Sequence, residues 1–241
     1  MKVAQNLPEL PVIDAAKARS LPVRAQITPL YNSNLNYAQF LLPGILYALL
    51  QVFACSVAVI VAGRGFKYPR QDRWQNQHAA GQLAGRLLPY GVIYSIYGAI
   101  ALPLFYGPLG WPMQASPWAL LPLVAMFVIA SQLIGVVFYC LTFHLERALS
   151  LAGAFCAPAF AFLGITFPVS DMSRFAAFWR ELMPAAHLLD GYVQQTQYAA
   201  GLSGLVLPAA VMCVYLLAWP WVTYRLNRHL EQNSPHVSAT A

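Results

Sequence analysis

Five stretches of this chain, residues 37–62, 87–106, 117–143, 149–169 and 203–224, each run for twenty or more residues without a Lys, Arg, Asp, Glu or His. About 20 apolar residues in helical conformation cross a hydrocarbon core about 30 Å thick. The runs are continuous rather than alternating at period two, so they predict helices and not the strands of a barrel. The remaining sequence cannot solvate a globule, because charged residues make up 9% of the 241 and hydrophobic ones 59%. A soluble domain carries about 25% charged residues. The expected fold class is an all-α integral membrane protein with five transmembrane helices.

The net charge of +6 does not point to nucleic acid, since the basic residues are spread over loops and tails and make no stripe on a polar domain. Positive-inside bias accounts for them. The interval 63–86 (GRGFKYPRQDRWQNQHAAGQLAGR) sets Arg64, Lys67, Arg70, Arg73 and Arg86 against a single acid, Asp72. Together with the link around His144, Glu146 and Arg147 and the tail bearing Arg225 and Arg228, it puts eight Lys and Arg on one side. The bias predicts a cytoplasmic C-terminus in the cell's plasma (inner) membrane, and five spans then place residues 1–36 outside. No apolar leader follows Met1-Lys2, so the expectation is that a preceding span and most of an external domain have no counterpart here. The expected organisation is an external tail over 1–36, a membrane domain over 37–225 and a cytoplasmic tail over 226–241.

Between the second and third runs, residues 107–116 carry no charge and read as an interfacial turn, with Trp111 and Trp118 suited to the headgroup belt. The external segment 170–201 is more than a loop. Phe175, Phe178, Trp179 and Leu182 fall at i, i+3, i+4 and i+7, while Arg174, Arg180 and Glu181 lie off that stripe. An amphipathic helix there would lie in the outer interface or dip into it, as a lid on the spans or as an element that touches substrate.

With no ionisable group inside the runs, the usual intramembrane proton and cation sites of coupled transporters are missing, and only neutral groups such as Gln51, Ser131 and Gln132 remain. Energy for uphill movement would have to enter from outside the spans. No G-x-x-x-x-G-K-[ST] occurs, so a nucleotide would be hydrolysed elsewhere. His144-x-Glu146 and His187-x-x-Asp190 lack a third metal ligand at a suitable spacing, and no G-x-S-x-G marks a nucleophile, so an intramembrane enzyme ranks last. Cys55, Cys140, Cys156 and Cys213 lie inside the runs without C-x-x-C spacing and read as packing residues. Tyr90, Tyr94 and Tyr97 share one face of the second run. Together with Gln132 and Phe160 they form the candidate substrate path. Gly153, Ala157 and Ala161 make a small-residue seam in the fourth run, for packing within the subunit or across a dimer.

An ordered set of motifs now carries a resemblance. Tyr31-Asn32-Ser33-Asn34-Leu35 with Phe40-Leu41-Leu42-Pro43-Gly44 resembles the Y-N-P-N-L…F-x-x-P-G that leads into the second span of ABC-type-2 exporter permeases. Gly85-Arg86-Leu87-Leu88-Pro89-Tyr90 is similar to the G-K-x-L-P-Y that opens their third span, and Gly110-Trp111-Pro112-Met113 to a turn of one efflux-type subgroup. Pro158-Ala159-Phe160, Gly164-Ile165-Thr166-Phe167-Pro168 and Met172 resemble P-A-F…G-x-T-F-P…M, and Leu182-Met183-Pro184-Ala185-Ala186-His187 the following L-x-P-x-T-H.

The resemblance implies a six-span subunit that works as a homo- or heterodimer above two ATPase subunits, exports an amphiphilic or hydrophobic substrate, and holds no cofactor of its own because the partner binds ATP. It implies that the interval 63–86 docks on the ATPase through Arg64, Lys67, Arg70, Arg73 and Trp74, and that Phe175, Phe178, Trp179 and Leu182 form an external cap. The sequence departs from the family in that Gly65 stands where the coupling loop's first acid is expected, and no Gly-Thr follows. The competing expectation is therefore a non-transporting scaffold or assembly subunit, or a truncated inactive copy.

Overall fold

The computed structural model describes residues 37–67, 79–110, 116–165, 169–198 and 200–233, and every regular element among them is helical. The five runs fold as the spans Leu41–Gly65, Ala80–Tyr106, Trp118–Thr142, Leu145–Phe162 and Ser203–Gln232. The helices are α1 (Tyr37–Lys67), α2 (Ala79–Tyr106), α3 (Leu121–Thr142), α4 (Leu145–Cys156), α5 (Ala159–Phe162), α6 (Arg174–Glu181), α7 (Pro184–Thr196), α8 (Ser203–Tyr215) and α9 (Ala218–Asn233).

The second span starts seven residues earlier and the last ends eight residues later than the sequence reading, and both ends of the fourth differ from it for a local backbone reason. The fourth span starts at Leu145, because Phe143 adopts the left-handed conformation at φ 49° and ends α3, after which one extended residue, His144, restarts the helix. It finishes at Phe162, just before Gly164 takes φ 86°, which a side-chain-bearing residue adopts only with strain. Pro158 lies where α4 gives way to α5: it has no N–H to donate and its ring disturbs the preceding turn. The last span is two helices, α8 and α9, meeting around Leu216 and Leu217.

α3 is the axis of the bundle, in contact with α1, α2, α4, α7, α8 and α9. Its closest approach is to α1, where Gly135 lies against the backbone of Cys55 so tightly that an added Cβ would collide with that carbonyl oxygen. Small residues let helices in lipid come this near, and the return is dispersion and shape fit rather than a hydrophobic force. The seam expected at Gly153 and Ala157 is not used in this way, since both are exposed and a Cβ on Gly153 would meet nothing. The buried side of α4 is instead Ala148, Ala152 and Cys156.

Buried side chains form two cores. One, at the end of the bundle that carries Arg64, Arg147 and Arg225, gathers Cys55, Ala58, Val59, Ala62, Val136, Ala148, Ala152 and Leu226. The other, at the opposite end, gathers Tyr47, Phe105, Phe127, Leu163, Met183, Leu188 and Tyr192.

Candidate functional site

α6 and α7 form a helical hairpin that enters the bundle from the end opposite the basic residues. Its depth follows from its partners. Trp179 of α6 donates its indole N–H to the Phe155 carbonyl at 3.2 Å. The N–H of Ala185, in the first turn of α7, is 2.8 Å from Gln51 Oε1. From the end that the hairpin enters, Gln51 lies ten residues inside its span and Phe155 seven, about 15 Å and about 10 Å along the helix at a rise of about 1.5 Å per residue. The turn of the hairpin is therefore level with the middle of the spans. The apolar segment dips, as one of its two expected modes allowed, and ten of the thirteen residues of α7 are buried.

A helix that begins at that depth exposes N–H groups to a medium without water, where each unpaired group is costly. Gln51 meets this need: its carbonyl oxygen accepts from Ala185, and its amide approaches Cys156 Sγ at 3.8 Å, so one side chain joins α1, α4 and α7. The carbonyl of Glu181, at the C-terminus of α6, accepts from His187 Nε2 at 2.9 Å and from the Tyr215 hydroxyl at 3.4 Å.

The faces of α6 are inverted relative to a soluble helix. Phe175, Phe178 and Leu182 are exposed, as expected of a surface against lipid, and Trp179 packs on Phe155 with ring centroids 5.8 Å apart. The opposite face buries Arg180, whose side chain is 7% exposed and pairs with both Glu181 and Asp190. The Asp190 and Glu181 side chains keep 43% and 62% exposure. They border a cleft of about 740 Å³ between the hairpin and α8, reached also by Gln39, His187, Gln194, Ser203 and Val211. The five runs read from the sequence hold no Lys, Arg, Asp, Glu or His, yet the hairpin carries Arg180, His187 and Asp190 in among the spans.

The candidate path residues do not converge. Gln132 donates to the Leu87 carbonyl at 3.3 Å and lines a separate apolar groove of about 690 Å³ between α2, α3 and the α8–α9 junction. Tyr90 and Tyr97 are exposed, Tyr94 leans on the core, and Phe160 is exposed on α5; none of the four lines the groove or the cleft. In the candidate coupling loop, Arg64 is exposed near the end of α1, and Lys67 closes that helix. Arg70, Arg73 and Trp74 lie outside the described residues. At the same end, Arg225 donates from Nε and Nη2 to the Cys140 carbonyl, at 3.3 and 3.1 Å, and covers the Phe143 ring.

Spans that pack around one central helix, with a polar cleft walled by a hairpin that turns back halfway, define a multi-pass helical membrane protein. The chain belongs to the ABC-2 family of transporter proteins, whose family model matches residues 2–225. Neither the curated proteins nor the solved structures gave a match.

Proposed function

We propose that the chain is the permease subunit of an ATP-driven exporter in the plasma (inner) membrane, moving an amphiphilic or hydrophobic substrate outward. The observation that carries the reading is family membership over nearly the whole chain. ATP is bound and hydrolysed by a separate ATPase, and the permease needs no cofactor of its own. The ATPase docks at the basic end, through the loop that α1 enters after Arg64 and leaves at α2, and the C-terminus lies on that cytoplasmic side. Basic residues at Arg64, Arg86, Arg147, Arg225 and Arg228 support this sidedness. Residues 1–36 then form an external tail. A second permease subunit completes the transporter, and the exposed Gly153–Ala157 face of α4 is compatible with such a contact.

The second reading, a scaffold or inactive copy, is favoured by one feature, Gly65 in place of the expected acid. Single cysteines along residues 66–82, in membranes that contain the candidate ATPase, separate the two. A helical periodicity of crosslinks supports coupling through the loop. Folded, inserted protein that gives no crosslink at any position favours the scaffold.

A further inference from the structure

We infer that the groove between α2, α3 and the α8–α9 junction binds a neutral, lipophilic molecule that carries a hydrogen-bond donor, taken in sideways from the bilayer. This deepens the exporter reading by giving its substrate a chemistry, and it rests on that reading for the word substrate.

The groove follows from the break in the last span. α9 packs on α2 and α3, whereas α8 packs on α3 and α7, so the span leaves a wedge beside α2 at the junction. Leu216 and Trp219 line it from the junction, Val92 and Ile96 from α2, and Ala125 and Ile129 from α3. Val92, Ile96, Ile129 and Leu216 are exposed, so in a chain that crosses a membrane the groove opens to lipid.

An apolar wall alone would be met by acyl chains. The second observation points to a different occupant. Gln132 also lines the groove and is 5% exposed. Its amide N–H donates to the Leu87 carbonyl at 3.3 Å, and its Oε1 accepts no hydrogen bond among the described residues. That oxygen faces Gly91 on the groove wall. A Cβ on Gly91 would stand 3.2 Å from it, so the missing side chain leaves the oxygen uncovered on that side. Ser95, one turn along α2 from Gly91, adds a hydroxyl to the same wall.

Gln132 is ten residues from Thr142, the nearer end of its span, and Ser95 is eleven from Tyr106, about 15 Å at a rise of about 1.5 Å per residue. Lipid headgroups stay outside that depth, and an acyl chain has no donor to give. An unpaired amide oxygen in a dry medium is costly, and an occupant with an O–H or N–H at this point pairs it. The described residues on the wall carry no charge, and an ion held at mid-depth without a partner is costly, so the occupant is neutral. A concave site of about 690 Å³, apolar but for one or two placed polar groups, has the form of a small-molecule site.

The test uses the full chain in lipid nanodiscs, without any ATPase, and two neutral probes of nearly the same shape. N-phenyl-1-naphthylamine has one N–H, and 1-phenoxynaphthalene has an ether oxygen in its place. The expected result is saturable binding of the amine above that of empty nanodiscs, with the ether about tenfold weaker, the scale of one hydrogen bond in a dry site. Gln132→Leu should bring the amine down to the affinity of the ether and leave the ether unchanged. Ile129→Trp, a change at an exposed position on the groove, should fill it and weaken both probes about tenfold, and it serves equally where Gln132→Leu does not fold. No saturable binding, or equal affinity for the two probes, means that the groove holds lipid chains only and overturns the proposal. So does a preference for the amine that survives Gln132→Leu, or unchanged affinity in folded Ile129→Trp. Because the ATPase is absent, each of these failures leaves the crosslinking test of the exporter reading untouched.

Discussion

The two cores hold the same bundle together by different means. At the basic end, helices meet through alanines, valines, a glycine and cysteines, and no charged side chain among the described residues is buried. At the opposite end, a broken chain has been inserted among the spans. There the core is aromatic, with Tyr47 edge-on to Phe127 and to Tyr192, and polar groups are buried with it: Arg180, His187, Gln195 and Thr196. A full span satisfies its own backbone, so its neighbours need only fit. A hairpin that stops halfway has helix ends in a dry medium, and the protein must bring side chains to them. The regular half is thus built by shape and the interrupted half by hydrogen bonding.

Substitutions should separate these two modes. The largest effect is expected at Gly135→Leu in the regular half, where even one added carbon collides with the Cys55 backbone. Backbone cannot swing aside as a side chain does, so the cost should reach or exceed about 3 kcal/mol and appear as loss of folded, monodisperse protein. Next comes Arg180→Leu, which leaves Asp190 and Glu181 without their cation, followed by Asp190→Leu, after which Arg180 keeps only Glu181. Breaking a buried pair costs about 3–5 kcal/mol, reduced here to about 2 because Asp190 is part-exposed. The double variant should recover most of that loss in thermal unfolding, and additive losses would show that the pair is not coupled.

A smaller effect is expected for Gln51→Leu, which keeps the bulk of the side chain and strands the Ala185 N–H. A buried unpaired donor costs about 1–3 kcal/mol. Hydrogen exchange should show it as faster opening of α7 with little change in α3. Equal loosening of both helices would mean that the two halves open as one unit.

Much of this was legible in the sequence. The absence of charge over twenty or more residues marks a span wherever it occurs, because the cost of burying an ion depends on the membrane and hardly on the neighbours. Trp179 and Phe175 also announced a helix by spacing alone. The placement of Arg180, His187 and Asp190 was not legible. α6 and α7 are 8 and 13 residues long, too short to read as spans, and their charges read as external. The partnerships of Ala185 with Gln51, 134 positions apart, and of Trp179 with Phe155, 24 apart, show how deep they go. The small-residue seam at Gly153 and Ala157 marks no contact within the subunit, for a related reason. Gly153 and Gly135 look equally suited to close approach, and the face each helix turns to α1 is set by the whole bundle.

By itself the sequence determined that the chain crosses a membrane, where the five spans lie, which end collects the basic residues, and the family resemblance. Those depend on local hydropathy and on motif order, which any one segment carries alone. The tertiary structure decided that the polar segment before the last span turns back at mid-depth, that Gln51 caps it, and that one arginine and two carboxylates share a cleft. Those depend on which unpaired backbone groups meet which side chains, and that is fixed only once the helices have packed.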